Sequence, residues 1–471
     1  MNKTLWSFLL LFLLISCKET THTIEIHSTE NEKTRKLDSL YSELLKYEEF
    51  NGNVLIAEND TVIFQKSFGS ANRESKTALN ENSIFNIASL TKQFTAAAIL
   101  MLVEDGTIAL NDRMATYIPE LSFYEGITID HLIHHTSGLP DYMQLLDSKG
   151  DKSKLATNDY VIRLFERERP AKLFEPNEKW QYSNTGYFIL ATIIERASGK
   201  SYSNFLREKI FDPLDMKNSD VLFVYRDSLD IENMAPGYTE NSAGEYVAYS
   251  EYAKSFDGVF GQGRLYSTTT DLYKWDRALD KNLLFSKKNT QTLFSNFTIN
   301  SGENCDYGFG WFLKDSEAYG NSVYHSGSWA GYTSYIERHL HNDKSIIILQ
   351  NNGNARDNSI IPVENTLRIL YDEPVEKTIR LSDELLQKYA GIYISEKGKE
   401  LEILYSDKSL WFEMNPQMKF ELIPRSETTF FVDKFQPEVT YEFFLDENGE
   451  VERYRVQQPE QGVDRTAIRK K

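Results

Sequence analysis

The chain of 471 residues carries 52 Lys and Arg against 70 Asp and Glu, a formal net charge of −18 at pH 7. Because nucleic-acid binding depends on a basic face, this charge argues against a nucleic-acid partner. A hydrophobic content of 41% excludes disorder for the bulk of the chain, and the length allows two or three domains.

The first 17 residues have the pattern of a bacterial lipoprotein signal. Lys3 precedes the apolar run LWSFLLLFLLIS, which is too short to span a bilayer and ends directly at Cys17. The sequence LISC over 14–17 resembles a lipobox, whose cysteine becomes the lipidated N-terminus after cleavage. We therefore predict a signal peptide over 1–17 and a membrane anchor through lipidated Cys17. The alternative is an ordinary cleaved signal followed by a chance cysteine.

Residues 18–33 are polar and are predicted to form a tether between the anchor and the first domain. If Cys17 is acylated, Cys305 is the only other cysteine and has no partner within the chain, which excludes a disulfide framework. No histidine motif or basic cluster accompanies Cys305 in the sequence. We interpret it as a small buried hydrophobic residue and not as a nucleophile.

The next segments predict a helix and then a β-hairpin. The helix is indicated by apolar residues at helical spacing: Leu37, Leu40, Tyr41, Leu44 and Leu45. In GNVLIAENDTVIFQKSFG, two strand-like runs flank the turn residues 58–61.

The segment NIASLTKQFTAAAIL, residues 86–100, predicts a helix that is apolar on all sides and therefore buried. Ser89 is a favourable N-cap and marks the predicted helix start. Lys92 stands three residues later, where Glu or Gln would stabilise the helix and a cation opposes its dipole. Because burying an unpartnered ammonium is costly, this exception to the local rules indicates a function for Lys92.

From residue 106 to about 350, helical patterns alternate with loops, and strand-like runs return at VYHSG, YTSYIERHL and KSIIILQNN. Strands at both ends with helices between them predict an α+β domain whose sheet uses both termini. From about residue 381 to 469, short alternating strands predict a second, all-β domain, with a hairpin turn at Asn448-Gly449.

Ser89 and Lys92 are three positions apart, so on a helix they lie on one face within reach of each other. A serine hydroxyl needs a nearby base to act as a nucleophile, and burial lowers the pKa of a lysine so that it can accept a proton. The backbone N–H groups of a helix N-terminus can also stabilise an oxyanion beside Ser89.

Two further motifs follow in the chain. WQYSNTGYFIL places Tyr182 and Asn184 at the start of a predicted helix, and VYHSGSWAGY places His325 on a predicted strand. The ordered set Ser-x-x-Lys, Tyr-x-Asn and Lys/His-x-Gly resembles the serine β-lactamase-like superfamily of class C β-lactamases, penicillin-binding DD-peptidases, esterases and D-amino-acid peptidases. The resemblance spans residues 35–375 and includes HHTSGLPDY, GQGRLYSTTTDLYKW and YGFGWF. The tail resembles a lipocalin-like domain appended to some members.

This resemblance implies roles for the site residues. Ser89 would be the nucleophile, and Lys92 would assist its deprotonation. Tyr182 would relay protons to the leaving group and then from the deacylating water. Whether Lys92 or Tyr182 is the base that deprotonates Ser89 is left open. The backbone N–H groups of Ser89 and Ser328 would form the oxyanion hole.

The resemblance also implies that Asn184 positions substrate amide or carbonyl groups, and that His325 contacts the substrate and the Tyr182–Lys92 network. Classical β-lactamases have Lys at the position of His325. An imidazole is only partly charged near neutrality and is a weaker partner for a substrate carboxylate than an ammonium. We therefore expect an ester or peptide substrate to be preferred over penicillins.

Other patterns predict no additional chemistry. The histidines of HLIHH, residues 131–135, lack the Glu of zinc hydrolases, so we predict no metal and no cofactor. The glycines of residues 258–263 do not form a G-x-G-x-x-G motif after a strand, and we expect them to allow close backbone approach near the site. No G-x-S-x-G elbow is present, which disfavours an α/β-hydrolase triad.

The sequence therefore predicts an α+β, β-lactamase/transpeptidase-like domain over 34–375, with an antiparallel sheet and a helical subdomain. A small β-barrel or sandwich is predicted over 380–471. We expect a lipid-anchored serine hydrolase facing the periplasm or exterior, which acts through an acyl-enzyme on an ester, D-amino-acid peptide or β-lactam. The alternatives are a non-catalytic lipoprotein that binds cell-wall peptides, and a hydrolase domain that only presents a binding β-tail.

Overall fold

The structure, a computed structural model, describes residues 31–470 with several gaps. The gaps are 152, 224–229, 242–244, 249–254, 354–361, 376–378, 407, 416–417, 433–438 and 459–461. Cys17, the signal sequence and most of the predicted tether lie outside the described residues. The chain divides into two compact units, the first ending at Glu373 and the second beginning at Pro374. Among the helices in the described ranges, none has the length and apolar composition needed to cross a membrane.

The strands described in the first unit are short, with at most eight residues each. In chain order they are β1 (Gly52–Glu58), β2 (Thr61–Phe68), β3 (Ser70–Asn72), β4 (Thr77–Ala78), β5 (Phe85–Asn86), β6 (Asp220–Val221), β7 (Tyr238–Glu240), β8 (Tyr246–Ala248), β9 (Leu265–Ser267), β10 (Phe312–Lys314), β11 (Ser322–Trp329), β12 (Tyr332–His339), β13 (Lys344–Gln350) and β14 (Asn352–Gly353).

The α-helices described in the first unit lie mostly between β5 and β10. They are α1 (Glu32–Lys46), α2 (Thr91–Glu104), α3 (Met114–Tyr117), α4 (Ile129–Ile133), α5 (Tyr142–Lys149), α6 (Asn158–Glu168), α7 (Asn184–Ser198), α8 (Tyr202–Leu206), α9 (Thr269–Asp280), α10 (Lys287–Leu293) and α11 (Val363–Leu370).

A six-stranded antiparallel sheet forms the centre of the first unit, in the order β10-β11-β12-β13-β1-β2. The predicted hairpin is confirmed, since β1 and β2 pair across a turn in which Asn59 and Asp60 have φ of 50° and 60°. β1 also pairs with β13, with Gly52 opposite Gln350, so both ends of the unit contribute to one sheet. This arrangement confirms the predicted α+β class.

The central sheet is covered on both faces. On β1, Val54 and Ile56 pack in one core with residues of α1 and α11, whereas Leu55 and Ala57 pack in the larger core with α2 and α7. Burial on both faces explains why the sequence of β1 is a continuous apolar run and not an alternating one. The predicted amphipathic helix corresponds to α1, whose buried residues are Leu37, Tyr41 and Leu44.

Helix α2 lies inside the larger core. All residues from Thr91 to Leu100 are buried, as the uninterrupted apolar sequence predicts. Phe94 of α2 packs against Trp275 of α9, with ring centroids 4.6 Å apart. The polar face that Lys92 requires must therefore be supplied by other segments of the chain, because α2 has no solvent-exposed stripe in this region.

The described part of the second unit contains one helix, α12 (Asp383–Tyr389), and a closed antiparallel barrel. Its strands are β15 (Gly391–Ser395), β16 (Glu400–Ser406), β17 (Ser409–Asn415), β18 (Met418–Pro424), β19 (Thr429–Val432), β20 (Val439–Leu445), β21 (Val451–Gln458) and β22 (Val463–Arg469). Each strand pairs with the next, and β15 pairs with β22 to close the barrel. Of the two predicted architectures, the barrel is the observed one.

Aromatic side chains make up half of the buried core of the second unit. Gly449 has φ of 78° in the turn between β20 and β21, which confirms the predicted hairpin at Asn448-Gly449. Strands β15 and β22 and helix α12 were not among the predicted elements. The buried aromatic residues of the core are Tyr389, Tyr393, Phe412, Phe430, Tyr441, Phe443 and Tyr454.

Candidate active site

Ser89 lies in a 3₁₀ turn, Ala88–Leu90, that leads directly into α2. The prediction that Ser89 is the N-cap is wrong, because α2 begins at Thr91 and the residue before it makes no side-chain capping bond. Thr91 Oγ1 instead donates to the carbonyl oxygen of Ala88 at 2.7 Å. Ala88 has φ of 47°, and a left-handed conformation costs a non-glycine residue about 1–2 kcal/mol. Ser89 is half-buried while both of its neighbours are buried, so this turn presents its hydroxyl at the surface of the core.

The side chain of Lys92 is fully buried, and its nitrogen contacts three oxygen atoms. Nζ lies 3.2 Å from Ser89 Oγ, 2.9 Å from Asn184 Oδ1 and 2.9 Å from the carbonyl oxygen of Gln262. Burial lowers the pKa of Lys92 well below its usual 10.5. In the neutral amine, two N–H bonds can reach the Asn184 and Gln262 oxygens, which directs the lone pair towards the Ser89 hydroxyl.

Tyr182 completes the contacts around Ser89. It lies directly before α7, whose N-cap Ser183 accepts a hydrogen bond from the Gly186 amide at 3.2 Å. Burial raises the pKa of Tyr182 above its usual range, and the side chain of Ser89 opposes this rise, which indicates that the two side chains are neighbours. Lys92 Nζ lies 4.8 Å from the centre of the Tyr182 ring. The geometry therefore brings the predicted residues Ser89, Lys92, Tyr182 and Asn184 together.

His325 lies on β11 and is 1% exposed. Its Nδ1 lies 2.6 Å from the carbonyl oxygen of Ser326, and its Nε2 lies 3.1 Å from the hydroxyl of Tyr307. Since a carbonyl only accepts, Nδ1 carries the proton and Nε2 accepts from Tyr307. Burial is the main cause that lowers the pKa of His325 to about 3, so the imidazole is neutral. A direct substrate contact by His325 remains a prediction.

Strand β11 packs directly on the turn that holds Ser89. A Cβ atom added to Gly327 would lie 2.8 Å from the amide nitrogen of Ser89 and 2.8 Å from the carbonyl oxygen of Ile87. Only glycine allows this approach, which explains the glycine of the third motif. The next residue, Ser328, is exposed and lines the same cavity as Ser89. The two predicted oxyanion-hole residues therefore border one cavity.

The cavity in front of Ser89 has a volume of about 60 Å³. Tyr182 does not line it and instead borders a neighbouring polar cavity of about 140 Å³. The neighbouring cavity is also lined by Asp141, Gln144 and Gln181. Beside Ser89 and Ser328, the residues that line the first cavity include Tyr142, Met143, Asn184, Gln262, Arg264 and Trp329.

The glycine-rich segment before β9 supplies the Gln262 carbonyl that contacts Lys92. A Cβ atom on Gly258 would lie 2.5 Å from a backbone oxygen, and one on Gly261 would lie 2.6 Å from another. The expectation of close backbone approach is confirmed for these two positions. At Gly263 the nearest atom to a Cβ lies at 3.8 Å, so close approach does not require glycine at this position.

His135 is a site residue that the sequence did not reveal. It has φ of 60° and is fully buried, with its ring centre 4.5 Å from that of Tyr182. Its Nδ1 accepts from the Ser183 amide at 3.0 Å, and its carbonyl oxygen accepts from the Gln181 amide at 2.9 Å. His135 thus holds the segment that carries Tyr182. Its sequence signals were its place in HLIHH and in HHTSGLPDY, one of the stretches of the family resemblance, and neither assigned it a role.

The antiparallel sheet with its helical insertion, and the serine, lysine and tyrosine gathered beside strand β11, define a class of serine hydrolases related to penicillin-binding proteins. Residues 37–361 match the family model described as Beta-lactamase, and the chain belongs to that family. Residues 376–470, which include the barrel, match a model described as a domain of unknown function, DUF3471.

Similar proteins cover most of the chain. Penicillin-binding protein 4* of Bacillus subtilis (strain 168) is 36% identical over 430 residues, which cover 88% of this chain and 95% of that protein. Teichoic acid D-alanine hydrolase of Staphylococcus aureus (strain MRSA252) is 28% identical over 62% of this chain and 68% of that protein. The octameric penicillin-binding protein homologue from Pyrococcus abyssi has a TM-score of 0.69 and 25% identity, covering 92% of this chain and 99% of that one.

Proposed function

We propose that the protein hydrolyses an ester or a D-amino-acid peptide through an acyl-enzyme formed on Ser89, and that β-lactams are poorer substrates. The observation that carries this proposal is the contact of 3.2 Å between Ser89 Oγ and the Nζ of a fully buried Lys92 whose pKa is lowered. A neutral amine in this position is a general base for the hydroxyl.

In the proposed acylation step, Ser89 Oγ attacks the substrate carbonyl carbon while its proton moves to Lys92 Nζ. The negative charge on the carbonyl oxygen is stabilised by the backbone N–H groups of Ser89 and Ser328. The bond to the leaving group then breaks, and the leaving group takes a proton from Tyr182, which regains one from Lys92. Of the two candidate bases, we favour Lys92, because burial raises the pKa of Tyr182 and so keeps the phenol protonated.

In the proposed deacylation step, water is the nucleophile and Ser89 Oγ is the leaving group. A water molecule gives a proton to the Tyr182–Lys92 pair and attacks the acyl carbon. The ester bond to Ser89 breaks, and Ser89 Oγ recovers a proton from the pair. The products are the free acid and the original enzyme, so the cycle needs no cofactor and no metal.

The preference for esters or peptides rests on His325. A neutral imidazole whose two nitrogens contact Ser326 and Tyr307 offers no fixed positive charge at the third motif. The name of one relative, teichoic acid D-alanine hydrolase, supports hydrolysis that involves D-alanine, and the predicted lipid on Cys17 supports a place at the cell envelope. We propose that the membrane is reached through this anchor.

The proposal is tested by labelling with a fluorophosphonate, followed by peptide mapping, and by comparing 4-nitrophenyl esters with a cephalosporin. Ser89 should be the labelled residue, and esters should be hydrolysed faster than the cephalosporin. Ser89→Ala should lose the label and about 10⁴-fold or more of the activity while it remains folded. A label on another serine would contradict the assignment. Absence of both label and turnover would favour the alternative of a binding protein.

A further inference from the structure

We propose that Tyr307 is a positioning residue of the active site. Its hydroxyl fixes His325 in one neutral tautomer, and His325 in turn holds the segment of β11 that packs on Ser89. This inference rests on the proposed function, since it concerns how the site around Ser89 is held. It gives a role to the segment YGFGWF, residues 307–312, which lies outside the three motifs.

Two consecutive hydrogen bonds connect Tyr307 with the backbone of β11 through the imidazole of His325. The Tyr307 hydroxyl lies 3.1 Å from His325 Nε2, and His325 Nδ1 lies 2.6 Å from the carbonyl oxygen of Ser326. Because a carbonyl oxygen only accepts, Nδ1 carries the proton, and Nε2 of the neutral ring accepts the proton of Tyr307. Hydrogen bonds in such a chain polarise and strengthen one another.

The two hydrogen bonds depend on each other. If the ring carried its proton on Nε2 instead, the lone pairs of Nδ1 and of the Ser326 oxygen would face each other across 2.6 Å. Without the Tyr307 hydroxyl, Nε2 would be a buried acceptor that has lost its donor, which is unfavourable. His325 is 1% exposed, so bulk water does not supply a substitute donor. Tyr307 therefore selects the tautomer that the Ser326 carbonyl requires.

Tyr307 is fully buried in a tight turn that packs on α2. The Gly308 amide donates to the carbonyl oxygen of Trp311 at 2.8 Å, and Tyr307 forms an antiparallel bridge with Phe312. A Cβ atom added to Gly310 would lie 2.7 Å from the backbone of Lys92. The turn is therefore in direct contact with the start of α2, and the Tyr307 hydroxyl has a fixed place relative to Lys92.

The other end of the hydrogen-bond chain reaches the nucleophile. Ser326 directly precedes Gly327, where an added Cβ would lie 2.8 Å from the Ser89 amide nitrogen. A rotation of the Ser326 peptide would thus move a strand that has no free space beside Ser89. Tyr307 connects the two elements between which Ser89 is held, α2 and β11.

The surroundings of the imidazole favour its neutral form. The titratable groups near it are Tyr307, Tyr182, Lys92 and His135. Burial lowers the pKa of Lys92 and His135 and raises the pKa of both tyrosines, which favours the uncharged form of all four. An imidazolium would have no anion among them. With both nitrogens engaged, His325 does not compete with Lys92 for the Ser89 proton.

The first test observes the tautomer directly, by nitrogen-15 NMR of the full chain labelled on its 8 histidines. The protonated and unprotonated nitrogens of a neutral imidazole differ in chemical shift, and the His325 signals are identified by their loss in His325→Leu. In the wild type, they should show a proton on Nδ1 and no titration between about pH 5 and 8. A proton on Nε2, or a titration in this range, would overturn the proposal. This result does not require any Tyr307 variant to fold.

The second test removes only the hydroxyl, in Tyr307→Phe. The Nε2 signal of His325 should shift, and kcat/KM for 4-nitrophenyl acetate should fall at least roughly fivefold, as for a buried acceptor left without its donor. The matched control is Tyr41→Phe, because Tyr41 is also fully buried and its hydroxyl lies 2.8 Å from Thr366 Oγ1, in the other core. The control should change neither quantity. An unmoved Nε2 signal or a smaller fall in Tyr307→Phe would overturn the proposal.

A double-mutant cycle distinguishes an action through His325 from a general loss of packing. In the wild-type background, Tyr307→Phe should slow fluorophosphonate labelling of Ser89 at least roughly fivefold. In His325→Leu, whose side chain accepts no hydrogen bond, adding Tyr307→Phe should have less than about a twofold effect. A loss of the same size in both backgrounds would assign Tyr307 to packing alone and would overturn its positioning role.

The NMR measurement also separates this proposal from the proposed function, because it needs no turnover. If the tautomer is as expected and depends on Tyr307 while Ser89 is never acylated, the hydrolase proposal fails and the role of Tyr307 in fixing His325 stands. If Ser89 is acylated but Tyr307→Phe changes neither the His325 signals nor the labelling rate, only the positioning role fails.

Discussion

Replacing Gly327 by alanine should displace the nucleophile. The added Cβ would lie 2.8 Å from the Ser89 amide nitrogen, whereas ordinary van der Waals contacts begin at 3.4 Å. The turn or β11 must therefore move by about 0.6 Å, and the contact with the Ile87 carbonyl oxygen, also at 2.8 Å, prevents movement of one atom alone.

The expected effect follows from this displacement. A misplacement of about 1 Å, or the loss of one oxyanion donor, costs roughly 10²-fold or more in rate. We expect kcat for a 4-nitrophenyl ester to fall about 10²-fold in Gly327→Ala, and the free energy of unfolding to fall by about 1–3 kcal/mol, as for other overpacked sites. The rate of fluorophosphonate labelling at Ser89 should fall in parallel with kcat.

The matched control is Gly263→Ala. Gly263 lines the same cavity, but the nearest atom to an added Cβ, the carbonyl oxygen of Ala88, lies at 3.8 Å, an ordinary van der Waals contact. It should retain wild-type kcat and thermal stability within error. If Gly327→Ala keeps half of the wild-type kcat or more, or if Gly263→Ala is equally impaired, the close packing of β11 on Ser89 is not what positions the nucleophile.

Three further predictions concern other residues. Because folding lowers the pKa of Lys92, the unfolded chain binds more protons between the folded value and 10.5. The unfolding free energy of the wild type relative to Lys92→Met should therefore rise with pH in that window, by at most about 1.4 kcal/mol per pH unit; a flat difference would mean that Lys92 is not perturbed. In His135→Asn, amide hydrolysis should lose more activity than 4-nitrophenyl ester hydrolysis, since only a poor leaving group needs the proton from Tyr182. Equal losses would assign His135 a merely structural role. Cys17→Ala should move from the membrane to the soluble fraction, and its retention in the membrane pellet would contradict the lipoprotein prediction.

Local patterns predicted the elements that depend on local chemistry. The β1–β2 hairpin and the turn at Asn448-Gly449 are short-range structures, and Asn59, Asp60 and Gly449 have the positive φ typical of such turns. The buried helix after Ser89 followed from its apolar composition. The start of this helix could not be predicted from composition. The side chain of Ser89 contacts Lys92 instead of capping the helix, and residues 88–90 adopt a 3₁₀ turn.

The site residues that the sequence missed are those whose roles arise from tertiary contacts. His135 reaches Tyr182 through the Ser183 amide, and the Gln262 carbonyl reaches Lys92 from a loop 170 residues away. Neither contact has a local signature. The sequence identified His325 but not its neutral state. That state depends on the burial of the imidazole and on the contact with Tyr307, and the sequence shows neither.

The pairing of β1 with β13 has a consequence for the order in which the chain can fold. Gly52 and Gln350 become neighbours only after roughly 300 intervening residues have been synthesised, so the central sheet closes late. Until then, the apolar edge of β1 has no partner and is open to pairing with other chains. A fragment that ends before Lys344 lacks β13 and would therefore be expected to aggregate. For the same reason, the helical insertion and a complete central sheet could not be produced together from such a fragment.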